Sequence, residues 1–324
     1  MAQPDLYDGH QEAHATWREA LAGPRMHHAW LLAGKRGLGK AAFAMAVARE
    51  LVAIDGVRQP DGQHPDIVLL THLPKDDKEQ AKRDEGKAFE SKRNITIDQV
   101  RAMQHRLTTR PTLGPKRAVV IDPADDLERG AANALLKSLE EPPEGTHFLL
   151  VAHRPARLLP TIRSRCRLLR FPALEDEQVA AILQRDAGGV DAAARAAAVS
   201  AARGSPGMAL DFVHRKLGPA ALLLRRIAKE GDAELALRGE LLAAIGARPD
   251  RETLPALLDL ARSILADDIR AADTPRQSAI IEAHTALVRL SGQVAGYNFD
   301  PTVLTMEIGG LLAKAAALRD PADG

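Results

Sequence analysis

The sequence predicts an α/β domain built on a parallel sheet, followed by an all-helical region. Short apolar runs rich in branched residues alternate with helical stretches through the first half of the chain, at residues 28–32, 67–70, 117–121 and 147–151. Continuous apolar runs of this kind are typical of parallel strands that helices cover on both faces. After about Leu168, strand-like runs give way to Ala- and Leu-rich segments with helical spacing.

Changes in composition divide the chain into three predicted domains. The α/β domain is expected at residues 1–171, because Pro172 marks the exit from its last segment. A small bundle of about three short helices is predicted at 172–214, and a longer helical bundle at 215–324. Residues 71–93 are dense in charges of both signs and have few apolar anchors. We interpret that segment as a solvated, mobile insertion.

The composition excludes several classes of protein. The chain has 324 residues, with 44 Lys and Arg against 43 Asp and Glu, so a surface that coats nucleic acid everywhere is excluded. Aromatic residues make up only 3%, which argues against a base-stacking platform. The single cysteine, Cys166, excludes a disulfide framework and a cysteine-rich zinc site, and favours the reducing cytoplasm. Charges interrupt every apolar run before the roughly 18 residues of a membrane helix, so no membrane association is expected.

Residues 34–41 fit a phosphate-binding loop as far as its lysine. Gly34, Gly37 and Gly39 precede Lys40, with a strand-like run before the loop and a helical pattern after it. Backbone N–H groups of such a loop converge on a phosphate, and the lysine reaches the outer phosphates. The usual magnesium-binding hydroxyl is replaced by Ala41, whose methyl group cannot be a ligand. We therefore expect phosphate-loop ancestry without working turnover; a turn that serves packing alone is the other interpretation.

A second nucleotide-binding element is also incomplete. The strand-like run 118–121 ends at Asp122, which is typical of the strand whose terminal aspartate holds magnesium. In proteins of this kind that hydrolyse nucleotide, an acidic residue follows and orients the attacking water, but here Pro123 follows. Asp125 and Asp126 come two to three residues too late and are expected to begin the next helix, where negative charge suits the N-terminus. The loss of both groups predicts a site that does not hydrolyse its nucleotide.

A one-sided positive charge marks residues 154–170. Six arginines and no acid occur there: Arg154, Arg157, Arg163, Arg165, Arg167 and Arg170. A solvated face is one interpretation, and direct contact with DNA is another. Arg165 differs from the rest through its neighbours, because a fixed guanidinium in such a position can stabilise phosphate charge across a subunit boundary.

Several literal strings indicate a family. They run in order through about the first two-thirds of the chain: GKRGLGK (34–40), HPD (64–66), ITIDQVR (95–101), NALLKSLEEPP (133–143), PTIRSRC (160–166) and GSPGMAL (204–210). With these strings the chain resembles the clamp-loader branch of the AAA+ proteins, and within it the delta-prime family of bacterial DNA polymerase III. The last third of the chain resembles that family only in length and helical character.

The resemblance implies a nucleotide-type AAA+ α/β domain, a helical lid (172–214) and a helical collar (215–324) that oligomerises. It implies a place among motor ATPase and delta-type subunits in a five-subunit ring, which loads the sliding clamp on primed DNA. Arg165 would then act in trans as an arginine finger for a neighbouring ATPase. Gly34, Gly37, Gly39, Lys40 and Asp122 would form a degenerate nucleotide site, with residual ATP or ADP binding but no required cofactor.

The resemblance leaves the chain's own nucleotide turnover and its metal content to be considered. A slow, active AAA+ motor of the same family is the alternative to a subunit that hydrolyses nothing. Many relatives carry a four-cysteine zinc module before the second strand, but residues 55–66 contain no cysteine, so neither zinc nor another metal is expected. Gly207 stands where active relatives place a sensing arginine after the Gly-Ser turn, which also argues against nucleotide turnover.

Overall fold

A computed structural model describes residues 9–316, apart from residues 25, 88, 247–248, 250–251, 270–271 and 295–298. The chain divides into two compact units, Met1–Ala173 and Leu174–Gly324. The first unit contains a parallel sheet with helices on both faces, and every helix described in the second unit packs into an all-helical body. The predicted fold class is therefore confirmed.

The sheet of the first unit has five parallel strands in the order β2-β3-β4-β1-β5. Their bounds are β1 Ala29–Ala33, β2 Ile67–Leu70, β3 Arg117–Ile121, β4 Thr146–Ala152 and β5 Arg167–Arg170. The first four lie within one residue of the apolar runs in the sequence. The edge strand β5 was not predicted, because it reads Arg-Leu-Leu-Arg and only Leu169 of the four is buried.

Helices cover the two faces of this sheet. They are α1 Gln11–Ala22, α2 Lys40–Val52, α4 Ile97–Leu107, α5 Arg129–Glu140 and α6 Pro160–Arg163, whereas α3 Asp77–Asp84 contributes no residue to the hydrophobic clusters of the sheet. Successive strand residues point to opposite faces: Trp30 and Leu32 pack with α1 and α2, whereas Leu31 belongs to the cluster with α4, α5 and α6. The phosphate-type loop therefore joins β1 to α2 at the carboxyl edge of a well-packed sheet, where ligands of such folds bind.

The charged segment 71–93 contains a helix that the sequence did not predict. This helix is α3, whose N-cap Asp76 accepts a hydrogen bond from the Glu79 backbone N–H. The carboxylate of Glu79 is buried and accepts from the Glu90 backbone N–H and from Lys82 Nζ, each at 2.6 Å. Side-chain to backbone hydrogen bonds therefore replace some of the missing apolar anchors, and the mobility of this mostly exposed segment stays a prediction.

The second unit consists of helices around one hydrophobic core. They are α7 Asp176–Asp186, α8 Ala192–Ala202, α9 Pro206–His214, α10 Gly218–Glu230, α11 Ala236–Ile245, α12 Thr253–Asp268, α13 Thr274–Val294 and α14 Pro301–Ala316. That core runs from Leu174 to Ala315 and joins residues on both sides of position 214. The separate lid and collar domains stay a prediction. Across the described part of the chain, no helix combines the length and apolar character needed to cross a membrane.

Candidate functional site

The loop between β1 and α2 depends on its glycines for its shape. The Gly34 N–H donates to the Ala152 carbonyl at 3.2 Å, and a Cβ at Gly34 would lie 2.3 Å from the Phe171 carbonyl oxygen. Gly37 and Gly39 have φ of 80° and 74°, a left-handed conformation that favours glycine. Packing thus explains Gly34, whereas the loop's curvature explains the other two. These three glycines lead directly into the N-terminus of α2, where unpaired backbone N–H groups favour an anion.

Lys40 is the buried cation of this loop, whereas Lys35 and Arg36 are exposed. The Lys40 side chain is buried, and Nζ donates to the Lys35 carbonyl oxygen at the start of the loop. Burial lowers the pKa of Lys40 to about 8, although the negative charges of Asp122 and Asp125 favour its protonated form and act in the opposite direction. The loop therefore holds a buried cation against its own backbone, next to the end of β3.

Asp122 lies at that end of β3. Burial raises the pKa of its carboxyl group above the ordinary value, while Lys40 and His72 act in the opposite direction. The structure thus brings Lys40 and Asp122, which are 82 positions apart in the sequence, into electrostatic contact. The residue after Asp122 is Pro123, which offers no carboxylate at this position.

The two following acids have other partners. Ala124–Asp126 forms a short 3₁₀ turn, and α5 begins only at Arg129, so the expectation that these acids begin the helix is wrong. The Asp125 carboxylate accepts from the backbone N–H groups of His153 at 2.9 Å and Arg154 at 3.0 Å. Asp126 Oδ2 lies 3.3 Å from His72 Nε2. Each carboxylate is therefore engaged in holding neighbouring segments together.

Arg165 lies just beyond α6, on the same side of the sheet as α5. Its Nη2 lies 2.6 Å from Glu140 Oε1, and its Nη1 donates to the Thr161 carbonyl at 2.9 Å. About a third of the side chain is exposed, at 34%. Its backbone is fixed on either side, because Ile162 is fully buried and Cys166 packs against the core of the first unit.

This ion pair joins the two most specific strings of the sequence. Glu140 belongs to NALLKSLEEPP and Arg165 to PTIRSRC. The sequence singled out Arg165 and missed its partner, which is 25 positions away. A signal for Glu140 was available, because an acid at a helix C-terminus faces the negative end of the helix dipole and is locally disfavoured.

The arginines of residues 154–170 do not form one uniform surface. Arg154 lies 3.8 Å from Asp125, and the guanidinium carbon of Arg167 lies 4.9 Å from the centroid of the buried Trp30 ring. With Arg165 paired as well, half of the six arginines have partners within the first unit. The interpretation of residues 154–170 as a solvated face is therefore incomplete.

Metal-ligating groups are dispersed in the described part of the chain. No three side chains of His, Cys, Asp or Glu come together there in a way that could hold a metal ion. Burial raises the pKa of the Cys166 thiol to about 12, which disfavours the thiolate that metals bind. That the chain needs neither zinc nor another metal stays a prediction.

Comparison with known proteins places this geometry in a family. The family model described as "DNA polymerase III, delta subunit" matches residues 9–175, just over half of the chain. The delta-prime subunit of DNA polymerase III from Pseudomonas aeruginosa is 37% identical over 175 residues, which are 50% of this chain and 47% of that protein. The Escherichia coli delta-prime subunit is 33% identical over 202 residues, covering 57% of this chain and 54% of that protein.

The chain thus spans about half the length of the curated relatives it matches. A solved structure extends the likeness in fold to both units: a DNA polymerase III gamma subunit-related protein from Thermotoga maritima has a TM-score of 0.52 and 17% identity, covering 94% of this chain and 99% of its own. The matched residues include the phosphate-type loop, Asp122, Glu140 and Arg165. The chain therefore belongs to the delta-prime subunit family of DNA polymerase III, among the clamp-loader relatives of the AAA+ proteins.

Proposed function

We propose that this chain is a clamp-loader subunit that hydrolyses no ATP itself and supplies Arg165 to the ATP site of a neighbouring motor subunit. It joins motor ATPase and delta-type subunits in a five-subunit ring, which places the sliding clamp on primed DNA. The observation that carries the proposal is a contrast within the first unit. The nucleotide site lacks the magnesium-binding hydroxyl and the water-orienting carboxylate that hydrolysis needs. Arg165, in contrast, lies beyond α6 with its guanidinium hydrogen-bonded and part of its side chain exposed.

The chain's own site supports the passive half of this proposal. Ala41 cannot bind magnesium and Pro123 cannot orient water. Asp125 is the nearest acid that could replace the missing carboxylate, but both of its oxygens accept backbone hydrogen bonds. The loop and Lys40 remain suited to bind phosphate, so ATP or ADP can bind here without efficient hydrolysis and without being required.

Replacing Arg165 tests the active half. In a complex reconstituted with motor and delta-type subunits, Arg165→Ala is expected to leave assembly intact and to lower turnover at the neighbour's site, because a trans arginine is worth about 10³–10⁵ in rate. Co-elution measures assembly, and steady-state phosphate release measures ATPase activity. Arg163→Ala removes an exposed arginine two residues away and is the matched control. Normal ATPase activity in the Arg165→Ala complex would refute the finger assignment.

An active but slow motor is the second candidate function. The observation in its favour is that Lys40 and Asp122 still interact beside a loop with all three glycines. ATP turnover by the isolated chain separates the two functions, with Lys40→Ala as the control for contaminating ATPases. We expect no turnover that depends on Lys40. A Lys40-dependent rate near that of ordinary AAA+ motors would establish the motor instead.

A further inference from the structure

The C-terminus of α5 carries two acids where the helix dipole disfavours them. Glu140 is its last residue and Glu141 follows, while Lys137 is the only basic residue of the last turn. Negative charge next to unpaired helix carbonyls costs stability unless a cation compensates. Arg165 supplies that cation to Glu140 at 2.6 Å. The acid thus occupies a place that the helix alone does not favour, and it does so opposite the proposed finger.

Packing fixes the distance between the two groups. Leu139 in α5 and Ile162 in α6 are almost completely buried in one hydrophobic cluster, so the two helices are held together next to this ion pair. Arg165 is thereby anchored twice, with Nη1 on the Thr161 carbonyl and Nη2 on Glu140. Because a guanidinium is planar, anchors on both terminal nitrogens fix its orientation as well as its position.

Both side chains of the Glu140–Arg165 ion pair are partly exposed, which fits a role in orienting Arg165 more than a role in fold stability. Glu140 is 48% exposed and Arg165 34%, so water competes for the pair and its contribution to fold stability is small. A guanidinium has five N–H donors, and these two contacts leave others for a phosphate. Without Glu140, the long side chain would have to lose its rotamer freedom at the moment it meets the neighbour's nucleotide.

We propose that Glu140 is a positioning residue, which holds the Arg165 guanidinium ready for the triphosphate of the adjacent subunit. This inference rests on the proposed function, because it gives Glu140 a role only if Arg165 acts in trans. Glu140 touches no reacting atom in this scheme. Glu140 restricts the rotamers of Arg165 before the neighbour's nucleotide is met, so that this loss of side-chain entropy does not oppose the contact.

The test measures the Arg165-dependent ATPase of the reconstituted complex, defined as the wild-type rate minus the rate with Arg165→Ala. Glu140→Ala is expected to lower this part roughly three- to tenfold, since immobilising one long side chain at an interface costs a factor of that size. Glu140→Gln keeps an oxygen that can accept a hydrogen bond, so it should lower the Arg165-dependent rate less than Glu140→Ala does. Glu141→Ala removes the neighbouring exposed acid and should change nothing. Thermal unfolding of each variant checks that the fold is intact.

The double variant Glu140→Ala/Arg165→Ala gives the decisive comparison. If Glu140 acts through Arg165, the double variant has the same rate as Arg165→Ala alone. An additional loss in the double variant would indicate a structural role and overturn the inference, as would an unchanged or faster rate with Glu140→Ala alone. These outcomes leave the proposed function standing. An unchanged rate with Arg165→Ala would overturn both.

Discussion

His153 is a residue whose burial has a measurable consequence. It follows β4, next to the phosphate-type loop, and its backbone N–H donates to Asp125. Burial, together with the nearby charge of Lys40, lowers the pKa of its ring to about 4. The ring is therefore neutral at neutral pH and a weak base, so it is poorly suited to act as a general base.

This shift predicts an acid-sensitive contribution to stability. The pKa of His153 is lower in the folded state than its ordinary 6.5, so the unfolded chain binds the proton first as the pH falls. Stability is then lost between about pH 6.5 and pH 4, by roughly 2–3 kcal/mol. We expect His153→Asn to flatten this part of the profile when the free energy of unfolding is measured by urea titration from pH 7 to pH 4.

The control for this measurement is His105→Asn, which replaces an exposed histidine at the end of α4. It is expected to keep the wild-type acid profile. If His153→Asn also keeps that profile, the ring does not stay neutral in the folded protein and the assignment of its low pKa is wrong.

At the scale of secondary-structure elements, Asp66 anchors the start of β2. The side chain is 1% exposed, and its carboxylate accepts from the backbone N–H groups of Thr112 at 2.6 Å and Leu113 at 2.7 Å. Arg117 at the start of β3 lies 3.8 Å away and is 3% exposed. One acid of the HPD string therefore holds the loop before β3 and compensates a buried charge, which gives this string a structural purpose.

Removal of this acid is expected to be costly. Asp66→Ala leaves the Arg117 guanidinium buried without its carboxylate and two backbone donors without acceptors, a loss of about 3–5 kcal/mol in the free energy of unfolding. Asp61→Ala, which removes an exposed acid from the same stretch, should stay within about 0.5 kcal/mol of wild type. Chemical denaturation measures both.

A second variant identifies the cause. Asp66→Ala combined with Arg117→Met removes the uncompensated charge but also the donor to the Arg106, Thr109 and Arg110 carbonyls. Since no buried charge is then left without a partner, the double variant should be less unstable than the sum of the two single changes. If the double variant is as unstable as the sum of the two single changes, the cost comes from the orphaned backbone donors and not from Arg117.

Which elements could be predicted depends on where their stabilisation comes from. The strands from β1 to β4 each contain a continuous apolar run, so short-range pattern was sufficient to predict them. The edge strand β5 has one buried residue, and α3 is held by hydrogen bonds to Glu79 that no hydrophobic period reveals.

The candidate site follows the same division. The loop glycines and Lys40 lie in one string and Asp122 directly follows a strand-like run, so local pattern was sufficient to name them as candidates. The partner of Arg165 and the partners of Asp125 depend on tertiary contacts between segments 25 to 29 positions apart. Such contacts are set by helix and strand packing, which a single sequence does not specify.

At the scale of the whole molecule, the hydrophobic clusters of the described residues follow the two compact units. Both clusters of the first unit end by Phe171, and the cluster of the second unit begins at Leu174. A cut after Ala173 therefore separates no cluster. A cut after His214 divides the second cluster, because the buried residues of α8 and α9 share it with those of α10 and α12.

This distribution predicts which shortened chains fold. Residues 1–173 are expected to unfold in one cooperative transition, measured by circular dichroism, because both faces of their sheet remain covered. Residues 1–214 should bind a hydrophobic dye and self-associate, because α7, α8 and α9 lose the apolar partners of the following helices. Under the proposed function neither fragment should enter the reconstituted ring, since both lack the predicted collar. A fragment 1–214 that unfolds as cooperatively as the full chain and binds no dye would show that residues 172–214 form a domain of their own.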